Sequence, residues 1–296
     1  MKTSSLIMLV LAVMLAVSLA SVWFYPSVQD FMASNTMWNG IQKFSADFKA
    51  EQIDSLASHP TSTEKKVLVA IPYLEYSEAE LADIRKFVED GGRLVLMDDF
   101  GYGNQILEYL GLEARFDHQI LLDPFFCYKN AYLPRISDLA TEAGEIGIKV
   151  IGLNHATILT GVTEAQITAR SSDTSFLDSN ENGQKDEGEA EGPFAVAAEV
   201  GAGKGTVALA SDPSLIINTM VERNDNYRFV QYLTGGQTEL RSVLLDRSHL
   251  AKSPLDISKI RGNQARNILA SPYTLLGLLA VAFVLIGRLT LVKEES

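Results

Sequence analysis

An uncharged apolar segment at each end of the chain constrains its fold more than any other feature. Residues 6–24 contain no charged side chain, and residues 268–287 form a second uncharged run. A helix of about 20 apolar residues spans the hydrocarbon core of a bilayer. We therefore predict transmembrane helices within 1–25 and 268–287. A cleaved signal peptide is the alternative for the first segment, and a buried core helix is the alternative for the second.

The distribution of basic residues predicts the orientation of the chain. Lys2 precedes the first apolar segment, and no Lys or Arg follows that segment until Lys43. Because basic residues are enriched on the cytoplasmic side of membrane helices, both termini are predicted to be cytoplasmic. Residues 26–247 then form an extracytoplasmic domain, residues 248–267 lie next to the membrane, and residues 288–296 form a cytoplasmic tail.

Composition excludes several classes of partner and site. The 296 residues carry a formal net charge of −12, whereas nucleic-acid binding requires clustered Lys and Arg. Cys127 is the single cysteine, so an intrachain disulfide and a zinc site built from several thiolates are excluded. It lies in an aromatic stretch without a nucleophile-elbow motif, which predicts packing rather than catalysis.

The first half of the predicted domain alternates helix and strand patterns. The predicted elements are a helix over 41–57, a strand over 66–71, a helix from Ser77 to Gly91, a strand over 93–97 and a helix over 103–110. Ser77 and Glu80 have the spacing of a capping box, and Gly91 is a typical C-terminal stop. Strand-helix units of about 25 residues favour a parallel sheet covered by helices on both faces.

The second half predicts antiparallel structure beside that sheet. Residues 194–200 and 206–210 flank a glycine-rich turn, which indicates a β-hairpin. A helical stretch from Asp212, a helix over 226–233 and a strand over 240–245 follow. The predicted fold class is a three-layer α/β fold with a mixed, flavodoxin-like sheet, flanked by an N-terminal and a C-terminal transmembrane helix.

The glycine-rich turn at 201–205 has a superficial likeness to a phosphate-binding P-loop. Ala198 occupies the position of the first glycine of that motif, and Gly205 replaces the Ser or Thr that would hold magnesium. A strand rather than a helix follows the turn, so ATP binding is not expected.

Polar residues follow the predicted parallel strands. Ligands of doubly wound sheets bind beyond the carboxyl ends of the strands. The candidate ligand-binding residues at that edge are Glu75, Asp98, Asp99, Asn104 and Asp212. One interpretation is that Asp99 and Asp212 are N-caps of the helices that follow them. The other is that the carboxylates line a site for a small ligand or a cation.

A twelve-residue acidic segment at 178–189 matches a calcium-binding loop. The predicted metal ligands are Asp178, Asn180, Asn182, Gln184, Asp186 and Glu189, with Gln184 contributing its backbone carbonyl. Calcium prefers hard oxygen ligands at this spacing, and Gly183 permits the sharp turn. Glycine and proline break the exit helix of an EF-hand, so a structural role for calcium is expected. The alternative is a solvated acidic loop.

Several short stretches carry a resemblance to a known group of proteins. They are Trp38-Asn39-Gly40, Tyr76 to Val95, Asp98 to Gly101, and Gly205 to Ser214. Together they resemble an uncharacterised membrane-anchored family, a domain of unknown function with a class I glutamine amidotransferase-like domain. The resemblance implies a relation to auxiliary proteins of gliding-type ABC transporters. The corresponding turn at 97–101 contains aspartates and no thiol, so glutamine hydrolysis is not expected.

These observations predict a non-catalytic, membrane-tethered, extracytoplasmic binding or scaffold module, with protein partners in an envelope or transporter complex. One alternative is a cation-dependent hydrolase that uses Asp98, Asp99 and Asp212. Another alternative is an accessory subunit of an ABC-type transport system. The binding module and the hydrolase are distinguished by whether neutralising Asp99 removes a chemical activity.

Overall fold

The computed structural model describes residues 3–58, 65–235, 242–269, 271–274 and 276–277. The chain divides into two compact units. Residues 28–251 form one unit, called here the sheet domain, and the described residues before and after it form the other, called the terminal unit. Most of the predicted membrane helix at 268–287 lies outside the described residues.

The helices and strands follow the chain in a mixed order. The helices are α1 (Thr3–Phe24), α2 (Gln42–Asp47), α3 (Glu78–Glu89), α4 (Gly103–Tyr109), α5 (Thr141–Glu145), α6 (Asn226–Leu233) and α7 (Pro254–Leu269). The strands are β1 (Glu51–Ile53), β2 (Lys66–Ala70), β3 (Arg93–Met97), β4 (Arg115–Phe116), β5 (Ile120–Leu122), β6 (Arg135–Ile136), β7 (Asp138–Leu139), β8 (Ile151–Gly152), β9 (Leu159–Thr160), β10 (Ile167–Arg170), β11 (Phe176–Asp178), β12 (Ala195–Ala202), β13 (Gly205–Ala210) and β14 (Ser242–Asp246). Short 3-10 turns occupy Leu56–Ser58, Glu164–Gln166 and Pro213–Ile216.

Helix α1 is the one helix of the described residues that is long and apolar enough to cross a membrane. It has 22 residues, and none of its side chains is buried. Within the terminal unit, α7 lies beside the end of α1, because Ser27 donates a hydrogen bond to Asp256 at 3.0 Å. The Arg266 guanidinium lies 5.9 Å from the ring centroid of Trp23, within the range of a cation-π contact.

The central sheet of the sheet domain is mixed. Within the described residues its main strand order is β1-β14-β2-β3-β13-β12-β10-β7, with β9 and β4 attached beside β12. Neighbours from β1 to β13 are parallel, whereas β12 is antiparallel to β13 and β10 is antiparallel to β12. The carboxyl ends of five parallel strands therefore lie at one edge of the sheet, called here the strand-end edge.

Alternating side chains of the parallel strands enter two separate cores. Val67, Val69 and Val95 belong to one core, and Leu68 and Leu94 belong to the other. Successive residues of a strand point to opposite faces, so continuous apolar runs such as residues 67–70 of β2 are buried on both faces. Helices α3 and α4 cover one face, and α6 contributes to the other. The predicted parallel core is confirmed.

Local signals located the elements between Lys66 and Tyr109 accurately. The Ser77 side chain accepts a hydrogen bond from the backbone of Glu80, and the Glu80 side chain accepts one from the backbone of Ser77. Helix α3 ends before Gly91, which has a φ of 105°. The hairpin of β12 and β13 is also confirmed, with its turn at Gly203 and Lys204.

The predicted helix over 41–57 is wrong beyond its second turn. Helix α2 ends at Asp47, Lys49 has a φ of 49°, and strand β1 follows. Strand β1 pairs in parallel with β14, with Glu51 opposite Leu244. The edge of β14 offers this segment a row of backbone hydrogen bonds, which outweighs its weak helical spacing.

The helical stretch predicted from Asp212 is only a short 3-10 turn at Pro213–Ile216. The predicted helix over 226–233 matches α6, and the predicted final strand matches β14, which extends to Asp246. Residues 240 and 241 of that prediction lie outside the described residues.

Two glycines of the hairpin allow a matched test of close packing. A Cβ at Gly205 would lie 2.2 Å from the carbonyl oxygen of Gly92, whereas a Cβ at Gly201 would meet no atom within 4 Å. We expect Gly205→Ala to lower the free energy of unfolding by roughly 1–3 kcal/mol, because the backbone must move apart. Gly201→Ala is expected to change it by less than about 0.5 kcal/mol. Denaturant unfolding measures both, and equal effects would contradict the packing argument.

Candidate functional site

Buried acidic side chains meet at the strand-end edge. Asp98 and Asp99 follow β3, and Asp212 follows β13 after one residue. Strands β3 and β13 are neighbours with Ala210 opposite Met97, so the sheet itself brings these carboxyl groups together. Asp98, Asp99 and Asp212 are 2%, 8% and 0% exposed. With Tyr73 and His118 they form what is called here the strand-end cluster.

Asp98 holds the turn between β3 and α4. Its two carboxylate oxygens accept hydrogen bonds from the backbone N–H groups of Gly101 and Gly103, both at 2.7 Å. Nε2 of His118 lies 3.8 Å from the Asp98 carboxylate. Asp98 therefore stabilises a turn whose backbone N–H groups are short of acceptors.

Asp212 holds a second turn. One of its oxygens accepts from the backbone N–H of Ser214 at 2.7 Å, and the other accepts from the backbone N–H of Asn154 at 2.6 Å. Its predicted role as an N-cap is confirmed, although the element it caps is a 3-10 turn. The bond to Asn154 also ties a distant loop to the end of β13.

Asp99 is not the N-cap of the helix that follows it. Tyr102 is the N-cap residue of α4, without a side-chain capping bond, because Asp98 already binds the first N–H groups of the turn. Beyond its own residue, the Asp99 carboxylate accepts one hydrogen bond within the described part of the chain, from the N–H of its neighbour Phe100 at 2.7 Å. Asp99 is thus the carboxyl group of the cluster that is least committed to the fold.

Burial changes the protonation of this cluster. It raises the pKa of Asp99 to about 6, opposed by the Phe100 N–H and reinforced by the charge of Asp98. Burial likewise raises the pKa of Asp212 to about 7, opposed by the Asn154 N–H and reinforced by Asp99. The pKa of the Tyr73 hydroxyl is also raised, by burial and then by the charges of Asp99 and Asp212. Close carboxyl groups with little water around them favour retaining protons.

The pKa of His118 is raised for the opposite reason. Its interaction with the Asp98 carboxylate favours the protonated imidazole, and burial of the ring opposes this effect. A protonated His118 partly balances the negative charge of Asp98 and Asp99. The cluster therefore combines a histidine that favours its cation with carboxyl groups that resist ionisation.

Several polar atoms beside the cluster lack hydrogen-bond partners within the described residues. They are Thr157 Oγ1, Ser211 Oγ, Asp117 Oδ1 and His118 Nε2. Thr157 and Ser211 are 0% and 1% exposed, and the Thr157 N–H donates to the Ser211 carbonyl at 3.0 Å. Buried polar groups normally have partners, so this concentration of unpartnered atoms suits a bound polar group or water.

Two of the predicted ligand-binding residues, Glu75 and Asn104, are not part of the strand-end cluster. The side chain of Glu75 is exposed. Asn104 binds both backbone groups of Phe116, donating at 2.9 Å and accepting at 2.8 Å, so it fastens α4 to β4. Of the five candidates from the sequence, the structure brings together Asp98, Asp99 and Asp212.

A second polar network occupies the neighbouring end of β14. The Tyr76 hydroxyl donates to Asp246 at 2.6 Å, and Nδ1 of His249 lies 2.7 Å from the same carboxylate. The rings of Tyr76 and His249 stack with centroids 3.4 Å apart. Burial alone would raise the pKa of Asp246, but hydrogen bonds from His249, Ser248 and Tyr76 hold it below its ordinary value. This network fastens the end of the sheet domain to the loop after β2.

The acidic loop at 178–189 is closed by its own hydrogen bonds. Both oxygens of buried Asp178 accept backbone N–H groups, from Asn182 at 3.1 Å and from Gly183 at 2.8 Å. The amide groups of Asn180 and Asn182 both donate to one oxygen of Asp186, at 2.7 and 2.6 Å. The predicted calcium ligands therefore gather in one loop, and Gly183 has the expected positive φ of 76°.

The last predicted ligand, Glu189, accepts from the backbone N–H groups of Ser179 and Asp186 at 2.9 and 3.0 Å. The backbone N–H of Gln184 donates to the side-chain oxygen of Asn182. Across the residues that the structure describes, no group of three or more His, Cys, Asp or Glu side chains is placed to hold a metal ion. The donor set is nevertheless made of hard oxygens, the chemistry that calcium prefers.

Sequence reasoning missed Tyr73, His118 and Thr157. Tyr73 could have been found, because it follows the buried strand β2 directly after Pro72 and so must emerge at the same edge. His118 and Thr157 have no local signal, since they reach the cluster from loops far away in the chain. Cys127 is not one of the residues of the strand-end cluster. It lies in an exposed loop, where its Sγ faces the Pro124 carbonyl.

The fold and this edge define an α/β domain that carries a buried acidic cluster at its strand ends and follows an apolar N-terminal helix. The chain belongs to the family described as Domain of unknown function (DUF4350), whose model matches residues 41–234. No curated protein matches the chain.

Solved structures show only weak likeness. The mmIFT52 N-terminal domain is 15% identical with a TM-score of 0.45, covering 59% of this chain and 79% of that chain. A β-galactosidase from Bacillus circulans sp. alkalophilus is 12% identical with a TM-score of 0.29, covering 56% of this chain and 23% of the enzyme. The exo-beta-1,4-mannosidase Op5Man5 from Opitutaceae bacterium strain TAV5 is 11% identical with a TM-score of 0.32, covering 62% of this chain and 27% of the enzyme. The chain spans about a quarter of the length of these glycosidases, and no functional argument follows from TM-scores this low.

The raised pKa of Asp99 predicts a distinctive pH dependence. A carboxyl group with a raised folded-state pKa contributes stability at low pH that is lost as the pH rises through that pKa. The stability of Asp99→Asn relative to the unmodified protein should therefore increase between pH 4 and about 6, by on the order of 2 kcal/mol. Denaturant unfolding of the detergent-solubilised protein across this range measures the difference. Parallel pH profiles for the two proteins would contradict burial as the cause.

Proposed function

We propose that the chain is a non-catalytic binding module, tethered to the membrane outside the cytoplasm, that recognises a protein partner in an envelope complex. The site is the strand-end cluster, and the group it recognises is a basic side chain of the partner. The observation that carries this proposal is the unequal use of the carboxyl groups. Asp98 and Asp212 each accept backbone N–H groups with both carboxylate oxygens. Asp99 accepts the N–H of Phe100 with one oxygen, so its other oxygen is the one that we propose for a ligand.

The surroundings of Asp99 support a basic ligand. The chain has a formal net charge of −12, and several unpartnered polar atoms adjoin the cluster. Above a pH of about 6 Asp99 is ionised, and an approaching ammonium or guanidinium group would stabilise that ionised form further. Binding is then stronger at neutral pH than at pH 5.

The same geometry supports a role without catalysis. The turn after β3 contains Asp98 and Asp99 where a class I glutamine amidotransferase would carry its cysteine. Cys127 lies in a different loop, where its backbone forms an isolated antiparallel β-bridge with Pro134. We infer that the sheet domain is related to the flavodoxin-like, class I glutamine amidotransferase-like folds, and that it has the binding role of such a domain without the nucleophile.

The proposed topology has two membrane passes. Helix α1 supplies the first anchor, and the uncharged segment at 268–287 supplies the second, with both termini in the cytoplasm. A place beside an ABC-type transporter is compatible with this topology. The paired anchors would then pack against the permease.

Neutralising Asp99 tests the proposed site. We expect the full-length protein with Asp99→Asn to lose partners that co-purify from native membranes at pH 7.5, because the ionised acceptor is absent. Glu75→Gln is the matched control, since it neutralises an exposed carboxylate on the same side of the domain. Quantitative mass spectrometry of the co-purified proteins, repeated at pH 5, is the measurement.

Two results would contradict this function. The first is an unchanged set of partners for Asp99→Asn. The second is hydrolysis of a peptide, glycan or phosphoester by the purified protein that Asp99→Asn abolishes, which would favour the enzyme alternative.

We also propose that calcium binds the loop at 178–189 and stiffens it. The bound ion would take oxygens from Asp178, Asn180, Asn182, Asp186 and Glu189 and the backbone carbonyl of Gln184. The amide groups that now donate to Asp186 would turn their oxygens toward the ion. An isolated loop of this kind has an expected affinity of about 10⁻⁴ to 10⁻³ M.

A stability measurement tests the calcium proposal. About 10 mM calcium should raise the free energy of unfolding by roughly 1 to 3 kcal/mol, because it binds the folded state alone. Asp186→Asn should remove most of this gain, and Glu187→Gln, an exposed neighbour outside the ligand positions, should retain it. An equal response to magnesium, or no response at all, would leave a solvated acidic loop as the correct interpretation.

A further inference from the structure

The exposed apolar side chains of the sheet domain are confined to a few loops. Among the residues described between 28 and 251, the exposed large hydrophobic side chains are Val28, Met37, Trp38, Leu74, Phe100, Tyr102, Phe125, Phe126 and Tyr128. None of them lies on a helix or strand of the central sheet. Phe125 is 76% exposed and Trp38 is 60% exposed, which is unusual for such large apolar groups.

Hydrogen bonds locate the first group of these residues at the strand-end edge. The loop after β2 carries Leu74, and the loop after β3 carries Phe100 and Tyr102. The Tyr102 N–H donates to the Pro72 carbonyl at 2.7 Å, so the two loops are joined. Both loops follow the carboxyl ends of parallel strands.

The loop with Phe125, Phe126 and Tyr128 reaches the same edge through a chain of contacts. The His155 N–H donates to the Tyr132 carbonyl at 2.9 Å, and the neighbouring Asn154 N–H donates to Asp212. Residues 123–134 are therefore attached to the residues just beyond β13.

Trp38 belongs to the same edge. Its carbonyl accepts a hydrogen bond from Oγ1 of Thr219 at 3.1 Å, and Asn218 donates to the Met37 carbonyl at 2.6 Å. Both donors follow the 3-10 turn that begins after Asp212. All nine exposed apolar residues except Val28 are thus tied to the loops of one edge, and the Val28 carbonyl accepts from Asn39 beside Trp38.

The chain also enters and leaves the sheet domain on this side. The backbone N–H of Leu74 donates to the carbonyl of His249, two residues before the domain ends at Ala251. At the other end, only residues 25–27 separate helix α1 from Val28. Three residues span at most about 11 Å, so the tether to the proposed anchor is short.

We propose that the exposed aromatic loops of the strand-end edge rest on the bilayer surface, with Trp38, Phe100, Phe125 and Phe126 in the interfacial layer. This proposal rests on the proposed membrane tether. A lipid surface is the favoured occupant because the apolar residues collect where both tethers leave the domain. The rings of Trp and Tyr are enriched at the level of lipid headgroups, and Phe side chains commonly belong to the apolar face of elements that lie in this layer.

The polar groups beside the aromatic loops fit the same surface. The Arg223 guanidinium lies 3.9 Å from the ring centroid of Tyr128, and Nζ of Lys129 lies 5.3 Å from it. Both cations are suited to lipid phosphate groups at the depth of the aromatic rings. Basic residues here are notable in a chain with an excess of acidic residues.

Tryptophan fluorescence tests this surface directly, because the chain has two tryptophans and Trp38 is the one in the sheet domain. The full-length Trp23→Phe protein, reconstituted in phosphatidylcholine vesicles, has Trp38 as its sole reporter. We expect spin labels at the lipid headgroup or upper acyl chain to remove most of the Trp38 fluorescence. The matched control carries Trp23→Phe, Trp38→Phe and Lys204→Trp, with its reporter in the exposed turn at the opposite end of β13, and it should not be quenched.

A further variant tests the aromatic loops themselves. Phe125→Ser with Phe126→Ser should weaken the quenching of Trp38 without lowering the melting temperature, because both rings are exposed. Unchanged quenching in this variant would overturn the role of these rings.

Three outcomes of the reporter experiment overturn the proposal. They are no quenching of Trp38, equal quenching of the two reporters, and protection of Trp38 from aqueous iodide without lipid quenching. The last result would identify a second copy of the chain on this edge, since no other protein is present in the vesicles. Flotation of the vesicles reports the tether separately, so its failure is distinguished from failure of the surface contact.

Discussion

The parallel pairing of β14, β2, β3 and β13 is the constraint on which the rest of the structure depends. Parallel strands all end at the same edge, so every loop that follows them is delivered to one place. Side chains that are distant in the chain, such as Asp98 and Asp212, thereby become neighbours. The same pairing draws the second polar network, centred on Asp246, to the adjoining part of the edge.

Crowding carboxyl groups into a buried edge has an energetic cost, and the fold offsets it in two ways. Backbone N–H groups of the turns satisfy Asp98 and Asp212, as they would at a helix N-terminus. The remaining cost appears as raised pKa values for Asp99 and Asp212, since a protonated carboxyl group is cheaper to bury than an ion. Asp99 is the carboxyl group of the cluster that the turns of the fold use least, and this is why we propose it as the group that meets a ligand.

The proposed site and the proposed lipid contact share the strand-end edge. Both proposals therefore turn the same edge of the domain toward the bilayer. A partner that reaches Asp99 beside a bilayer surface would itself be a membrane protein or a peripheral one. The exposed aromatic loops are tied to the same edge as the acidic cluster, so in this proposal membrane contact and partner recognition would support each other. The acidic loop at 178–189 forms a separate, locally closed element joined to β11.

The sequence by itself determined the apolar helix α1, the capped helix α3, the strands β2 and β3, the β12–β13 hairpin and helix α6. Each of these is specified by local rules: an apolar run, a capping box, a glycine stop, or a glycine-rich turn. The sequence also located Asp98, Asp99 and Asp212 at strand ends.

Only the tertiary structure decided that β1 is a strand and not part of a helix, and that Asp98 rather than Asp99 caps the turn before α4. It also decided that Tyr73, His118 and Thr157 reach the cluster. These outcomes depend on which backbone groups and carboxylates become neighbours after the sheet forms. Pairing between distant segments leaves no periodic or spacing signal within either segment, so no local pattern could have specified it.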